Sequence, residues 1–114
     1  HILPFGLAAV TRRATYRVWL DDWEGVLEEV ELREASQAMS ELRRIKGRDP
    51  DMMYLNCEGC EYEVLQQLVS TGWLSRIPRL AIFWHAGGAP WASRCELDRQ
   101  LRRSHRMVRA VQSV

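Results

Sequence analysis

The sequence predicts an α/β domain whose sheet is mostly parallel, is flanked by helices and has an antiparallel edge strand. Two short apolar runs, residues 52–57 and 80–84, have the length and composition of strands covered on both faces, as in parallel sheets. A helical pattern lies between these runs, and this order is typical of a right-handed β-α-β unit. With 114 residues, the chain has the size of one small domain spanning residues 1–114.

The first half of the chain predicts strands followed by a helix. The opening residues are apolar enough to form a buried strand ending near Val10. Residues 14–20 and 29–33 alternate apolar and polar side chains across a polar turn, which predicts a hairpin-like pair. Apolar residues then recur at helical spacing over residues 34–46, and Gly47 supplies a stop. We therefore expect a hairpin and one amphipathic helix here.

The second half predicts two strands, two helices and a final strand. Residues 52–57 form the first strand, the helical period returns over residues 59–72, and the second strand covers residues 80–84. Ser93 and Glu96 have the spacing of a capping box, which predicts a helix running to Arg103. Residues 107–111 would form the last strand.

Composition and charge argue against several functional classes. The chain has 16 basic and 15 acidic residues and no block of one sign, so we expect no nucleic-acid partner. The arginines of residues 99–109 are more typical of a solvated helix face than of a phosphate site. No window approaches the ~20 apolar residues that cross a bilayer, so we expect a soluble chain without a membrane span.

The first residue is His1 rather than Met, and apolar residues follow at once. Such a start indicates processing, an artificial boundary, or a beginning inside a larger domain. Processing would be consistent with removal of an organellar transit peptide. The compartment is not otherwise indicated by the sequence.

Three cysteines, Cys57, Cys60 and Cys95, cannot all pair within one chain and are too few for a disulfide scaffold. We therefore expect reduced thiols. Cys57 and Cys60 have C-x-x-C spacing, and together with Cys95 and His85 they could complete a zinc site. A single C-x-x-C pair is weak evidence for metal, and small core cysteines explain it as well, so we predict no metal.

Polar residues follow both predicted parallel strands. Asn56, Glu58 and Gly59 come at the end of the first strand, and His85 ends the second. In parallel α/β sheets, ligands bind at the carboxyl ends of the strands. If the two strands are neighbours, these residues converge on one edge of the sheet and form a candidate site.

Residues between Asp51 and His85 have the spacing of a known family pattern. The matching residues are Asp51, Asn56, Glu58-Gly59, Glu61 and Val64-Leu65, with Ile77-Pro78 and the strand ending in His85 as the continuation. In these residues the stretch resembles the C-terminal part of FkbM-type S-adenosylmethionine-dependent methyltransferases. The resemblance implies a partial Rossmann-like methyltransferase sheet, S-adenosylmethionine as the cofactor, and O-methyl transfer to a small-molecule hydroxyl, such as that of a sugar or secondary metabolite.

The resemblance also implies roles for the site residues. Glu58 and His85 are candidate catalytic bases, while Asn56, Glu58 and Gly59 would contact the cofactor or shape its turn. Each residue has a simpler alternative. Glu58 could cap the following helix, and His85 could be a hydrogen-bonded structural histidine.

Two features of the chain depart from the family pattern. Tyr54 stands where the family often has lysine, and no Gly-rich strand-to-helix turn precedes the match. We therefore expect the chain to lack the usual N-terminal cofactor-binding part. Two hypotheses follow. The first is a methyltransferase domain represented by its C-terminal part, active or inactive as this chain, and the second is a non-catalytic remnant serving as a structural or interaction subunit of a larger assembly. In the second case a protein partner would cover the exposed sheet edge.

Overall fold

The structure is a computed structural model and describes residues 3–18, 25–85 and 91–108, without the side chains of Val18, Trp91 and Ala92. The α/β class is confirmed. The elements are β1 (Gly6–Ala8), β2 (Arg12–Val18), β3 (Val26–Glu34), α1 (Ala35–Lys46), β4 (Met53–Leu55), α2 (Glu61–Ser70), β5 (Leu80–Ile82) and α3 (Trp91–Leu101), with a 3₁₀ turn (Leu74–Arg76) before β5.

The strands form two sheets rather than the single sheet expected. β3 lies at the centre of a three-stranded sheet, where it runs parallel to β1 and antiparallel to β2. β4 and β5 form a separate parallel pair connected through α2, as the β-α-β pattern predicts. The predicted hairpin is confirmed by seven paired positions, from Arg12 opposite Leu32 to Val18 opposite Val26. The alternation of side chains along both strands favours this register.

At both ends of helix α1, a flanking residue makes hydrogen bonds with backbone groups that have no partner inside the helix. The Glu34 carboxylate accepts hydrogen bonds from the backbone N–H groups of Ser36 and Gln37, each at 2.9 Å. At the other end, Gly47 adopts a left-handed conformation with φ of 72° and donates its N–H to Arg43 O. Glu34 is thus the cap of the predicted helix rather than its first residue.

Helix α2 provides the centre of the core. Val64, Leu65 and Leu68 recur at helical spacing and are fully buried, and so is Ile77 ahead of β5. The same cluster contains Met53 and Leu55 of β4 and residues from all three helices. The crossover helix is therefore packed against the parallel pair whose strands it connects.

One prediction about β4 and β5 is wrong. The apolar runs suggested strands covered on both faces, but Tyr54 is 64% exposed and Phe83 47% exposed. Only one face of the pair, which includes Met53 and Leu55, packs into the core that the three helices share. Within the described ranges, the opposite face stays open.

The C-terminal helix also differs from its prediction. α3 begins at Trp91, so Ser93 lies inside the helix instead of capping it, and α3 ends at Leu101 rather than Arg103. Of the predicted last strand, Met107 and Val108 are not in a strand, and its remaining residues lie outside the described ranges. No helix in the described part of the chain is long and apolar enough to cross a membrane.

Candidate functional site

A tight turn connects β4 to α2 and contains most of the predicted site. Glu58 has a φ of 54° and Gly59 a φ of 110°, so two consecutive residues are left-handed. The turn brings the Cα atoms of Cys57 and Cys60 to 5.4 Å, and the two sulfurs form a disulfide. The expectation of reduced thiols is therefore wrong for this pair, because the turn, rather than the overall cysteine count, places the two side chains together. Cys95 remains free and exposed.

Glu61 is the residue around which the turn is organised. Its side chain is fully buried at the start of α2. Oε1 accepts the N–H of Cys57 and Oε2 accepts the N–H of Gly59, both at 2.9 Å. Oε1 also lies 2.7 Å from Nδ1 of His85. One carboxylate thus fixes both the turn and the imidazole of a residue that follows β5.

His85 lies between two carboxylates at the carboxyl ends of β4 and β5. Phe83 donates its N–H to Leu55 O at 2.9 Å, which extends the pairing past β5 and brings His85 beside the turn. Its Nδ1 contacts Glu61, and its Nε2 lies 3.1 Å from Oε1 of Glu58. Because a carboxylate only accepts, each ring nitrogen must be protonated in order to donate, Nδ1 to Glu61 and Nε2 to Glu58, so the two contacts together are those of an imidazolium. The structure therefore brings together two of the predicted residues, Glu58 and His85.

The two carboxylates alter the ionisation of the site. The hydrogen bond to Glu61, with the negative charges of Glu58 and Glu61, raises the pKa of His85 against the opposing effect of desolvation. Burial by itself would raise the pKa of Glu61, but the backbone N–H of Cys57 and the His85 imidazole stabilise its anion and lower that pKa. The site thus favours a charged pair, an imidazolium donating to a buried carboxylate.

The remaining predicted residues have less direct placements. Asn56 is exposed at the end of β4. Gly59 supplies an N–H to Glu61 and a left-handed backbone, so its place in the turn is structural as well. Glu58 faces His85 with its side chain 86% exposed, and no side-chain cap is seen on the first turn of α2. The contacts of Glu58 are therefore those of a site residue rather than of a helix cap.

The sequence prediction overlooked Glu61 as part of the site. An acidic residue in the first turn of a helix is stabilised by the helix dipole even when it faces solvent. The neighbouring sequence therefore did not indicate that Glu61 is buried. The neighbouring Glu63 has the same sequence setting but points elsewhere, accepting the N–H of Ala9 at 3.0 Å and pairing with Arg12. Glu61 is one of the residues that match the family pattern, and this match was the one sequence signal that could have marked it as a site residue.

The zinc alternative does not fit this arrangement. The disulfide occupies the thiolates of Cys57 and Cys60 that a metal would need. In the described residues, no group of three or more histidine, cysteine, aspartate or glutamate side chains is placed to hold a metal ion.

Neither a protein-family model, nor a curated protein, nor a solved structure matches this chain.

Proposed function

We propose that this chain is the C-terminal part of an FkbM-type, S-adenosylmethionine-dependent O-methyltransferase domain with a Rossmann-like sheet, and that His85 is its general base. The supporting observation is the imidazole of His85, held between Glu58 and Glu61 at the carboxyl ends of two neighbouring parallel strands. This is the edge at which α/β enzymes bind ligands. Of the residues that match the family pattern, Asn56, Glu58-Gly59, Glu61 and His85 lie at this edge.

The geometry suits proton abstraction from a hydroxyl group. Glu61 accepts from Nδ1 and so fixes both the orientation and the tautomer of His85, which leaves Nε2 with the lone pair in the neutral imidazole. Glu58 is exposed, so its side chain can swing aside for a hydroxyl donor and return to the imidazolium. The raised pKa of His85 makes it a stronger base once it is neutral.

The side chains at this edge fit one end of S-adenosylmethionine. The exposed carboxylate of Glu58 and the exposed amide of Asn56 suit the positively charged sulfonium and amino groups. When bound, that cofactor supplies a methyl group that is already activated. The residues of this chain would then have to orient the acceptor oxygen and remove its proton. A small molecule with a free hydroxyl, such as a sugar or secondary metabolite, is the acceptor class that this chemistry requires.

Calorimetric titration with S-adenosylmethionine tests the proposal, followed by transfer of a radiolabelled methyl group to a panel of hydroxyl compounds. We expect binding, and a loss of turnover of about 10²- to 10⁴-fold in His85→Gln, the usual contribution of a general base. Glu58→Gln should bind the cofactor more weakly and turn over more slowly. Well-folded protein that takes up no cofactor would refute the proposal for this chain.

A second candidate is a non-catalytic methyltransferase-fold subunit of a larger assembly. The observation that favours it is the open face of the β4–β5 pair, where Met52, Tyr54 and Phe83 are all about half exposed or more. A protein partner covering this face would bury these side chains. Met52→Lys together with Tyr54→Lys should abolish co-purification with such a partner under this candidate, while methyl transfer should survive the same change if the enzyme candidate is right.

A further inference from the structure

We propose that the Cys57–Cys60 disulfide is a reversible redox site that sets the position of the Glu58 carboxylate against His85. This redox site would exist with or without the proposed methyl transfer, because it involves only the turn and the imidazole. Both cysteines are partly exposed, so a dithiol can reach them. The two bonded residues enclose Glu58 and Gly59.

The disulfide restrains the residue that faces the imidazole. Glu58 has a left-handed backbone, with a φ of 54°, which a side-chain-bearing residue seldom adopts unless its surroundings impose it. Two restraints hold it here. One is the Cys57–Cys60 bond, and the other is the pair of N–H groups, from Cys57 and Gly59, that donate to buried Glu61. Reduction removes the covalent restraint and leaves the hydrogen bonds.

The exchange reaction balances with a dithiol as the reductant. A thiolate of the dithiol attacks Sγ of Cys57, the S–S bond breaks, and Cys60 leaves as a thiolate. Cys60 is the better leaving group because it directly precedes α2, where the helix N-terminus stabilises an anion. The second thiol of the reductant then attacks the mixed disulfide and releases Cys57. Two electrons and two protons pass to the cysteines, and the dithiol becomes a disulfide.

Reduction moves the Glu58 carboxylate and leaves the Glu61 carboxylate in place. The buried Glu61 carboxylate keeps its bond to Nδ1 of His85 in both redox states, because that bond does not involve the turn's covalent link. Glu58 gains backbone freedom on reduction, and its carboxylate leaves Nε2. Among the described residues, His85 also contacts two uncharged groups: the Phe83 ring at 5.5 Å, and Tyr62, whose hydroxyl donates to the His85 carbonyl. From α3, Arg94 lies over Trp84, next in sequence to His85.

The test is an NMR titration of His85 in the whole chain, oxidised and then reduced with dithiothreitol. Cys95→Ser serves as the background, since this exposed free thiol would otherwise form intermolecular disulfides. Alkylation and mass spectrometry should show a reversible two-thiol transition in protein that stays folded. On reduction, the pKa of His85 should fall by about half a pH unit, the size expected for an exposed ion pair.

Two further variants separate this mechanism from general loosening. In Glu58→Gln, oxidised and reduced protein should give the same His85 titration, because the charge that moves is gone. The double variant Cys57→Ser, Cys60→Ser should reproduce the reduced wild-type curve. A His85 titration indifferent to the redox state would overturn the proposal. So would a redox effect that persists undiminished in Glu58→Gln.

Discussion

Replacing Glu61 with glutamine should cost the fold about 2–4 kcal/mol, although the two side chains have nearly the same shape. The buried carboxylate accepts from Cys57 and His85 through Oε1 and from Gly59 through Oε2. Glutamine has one acceptor oxygen, so its amide NH₂ must face one of these donors. A buried donor left unsatisfied costs about 1–3 kcal/mol, and the surviving bonds lose the further strength that an ionised acceptor provides.

Urea denaturation followed by tryptophan fluorescence measures this loss. Glu58→Gln is the matched control, because it makes the same chemical change in the same turn at a side chain that is 86% exposed. The control should stay within about 0.5 kcal/mol of the wild type, as most surface substitutions do. If Glu61→Gln loses no more stability than Glu58→Gln, Glu61 does not organise the turn.

Three further predictions concern pH and the ends of α1. The pKa of Glu61 lies below its ordinary 4.5, so its contribution is present above pH 4.5 and is lost as pH falls through the folded-state pKa. The pKa of His85 lies above its ordinary 6.5, so its contribution is full below pH 6.5 and is lost as pH rises through the folded-state pKa. The Glu61–His85 pair should therefore stabilise the fold most between pH 4.5 and pH 6.5. In Glu61→Gln, the loss of stability on either side of this range, measured by urea denaturation at a series of pH values, should be smaller than in the wild type. Glu34→Ala removes the cap of α1 and should cost about 1–2 kcal/mol in the same assay, whereas an unchanged midpoint would contradict the capping role. Gly47 has a φ of 72°, and an added Cβ there would meet no atom within 4 Å. Gly47→Ala should therefore cost about 1 kcal/mol through backbone strain alone, and Gly47→Asn should cost less. Equal losses of stability in the two variants would contradict backbone strain as the cause.

The sequence predicted the elements whose causes are local. The period of two identifies the hairpin of β2 and β3, because each strand alternates its own side chains. Gly47 ends α1 through its own backbone conformation, which depends on no distant residue. The β-α-β unit followed from two apolar runs on either side of a helical pattern, and the parallel pairing of β4 and β5 confirms it.

Features that depend on distant residues could not be predicted in this way. An apolar run shows that a strand is partly buried but not how many of its faces are covered, so the exposure of Tyr54 and Phe83 was missed. The burial of Glu61 depends on His85, which is 24 positions further along the chain. The Cys57–Cys60 bond depends on a turn with two left-handed residues, which C-x-x-C spacing permits without requiring.

The tautomer of His85 tests the central claim most directly, because the whole site depends on Glu61 accepting from Nδ1. Nitrogen-15 NMR of histidine-labelled protein, recorded above the pKa of His85, distinguishes the two neutral forms. The geometry predicts the Nδ1–H form, with Nε2 unprotonated and available to a hydroxyl donor, and predicts that Glu61→Gln weakens this preference. A neutral His85 found in the Nε2–H form would contradict both the geometry of the site and the role proposed for this residue.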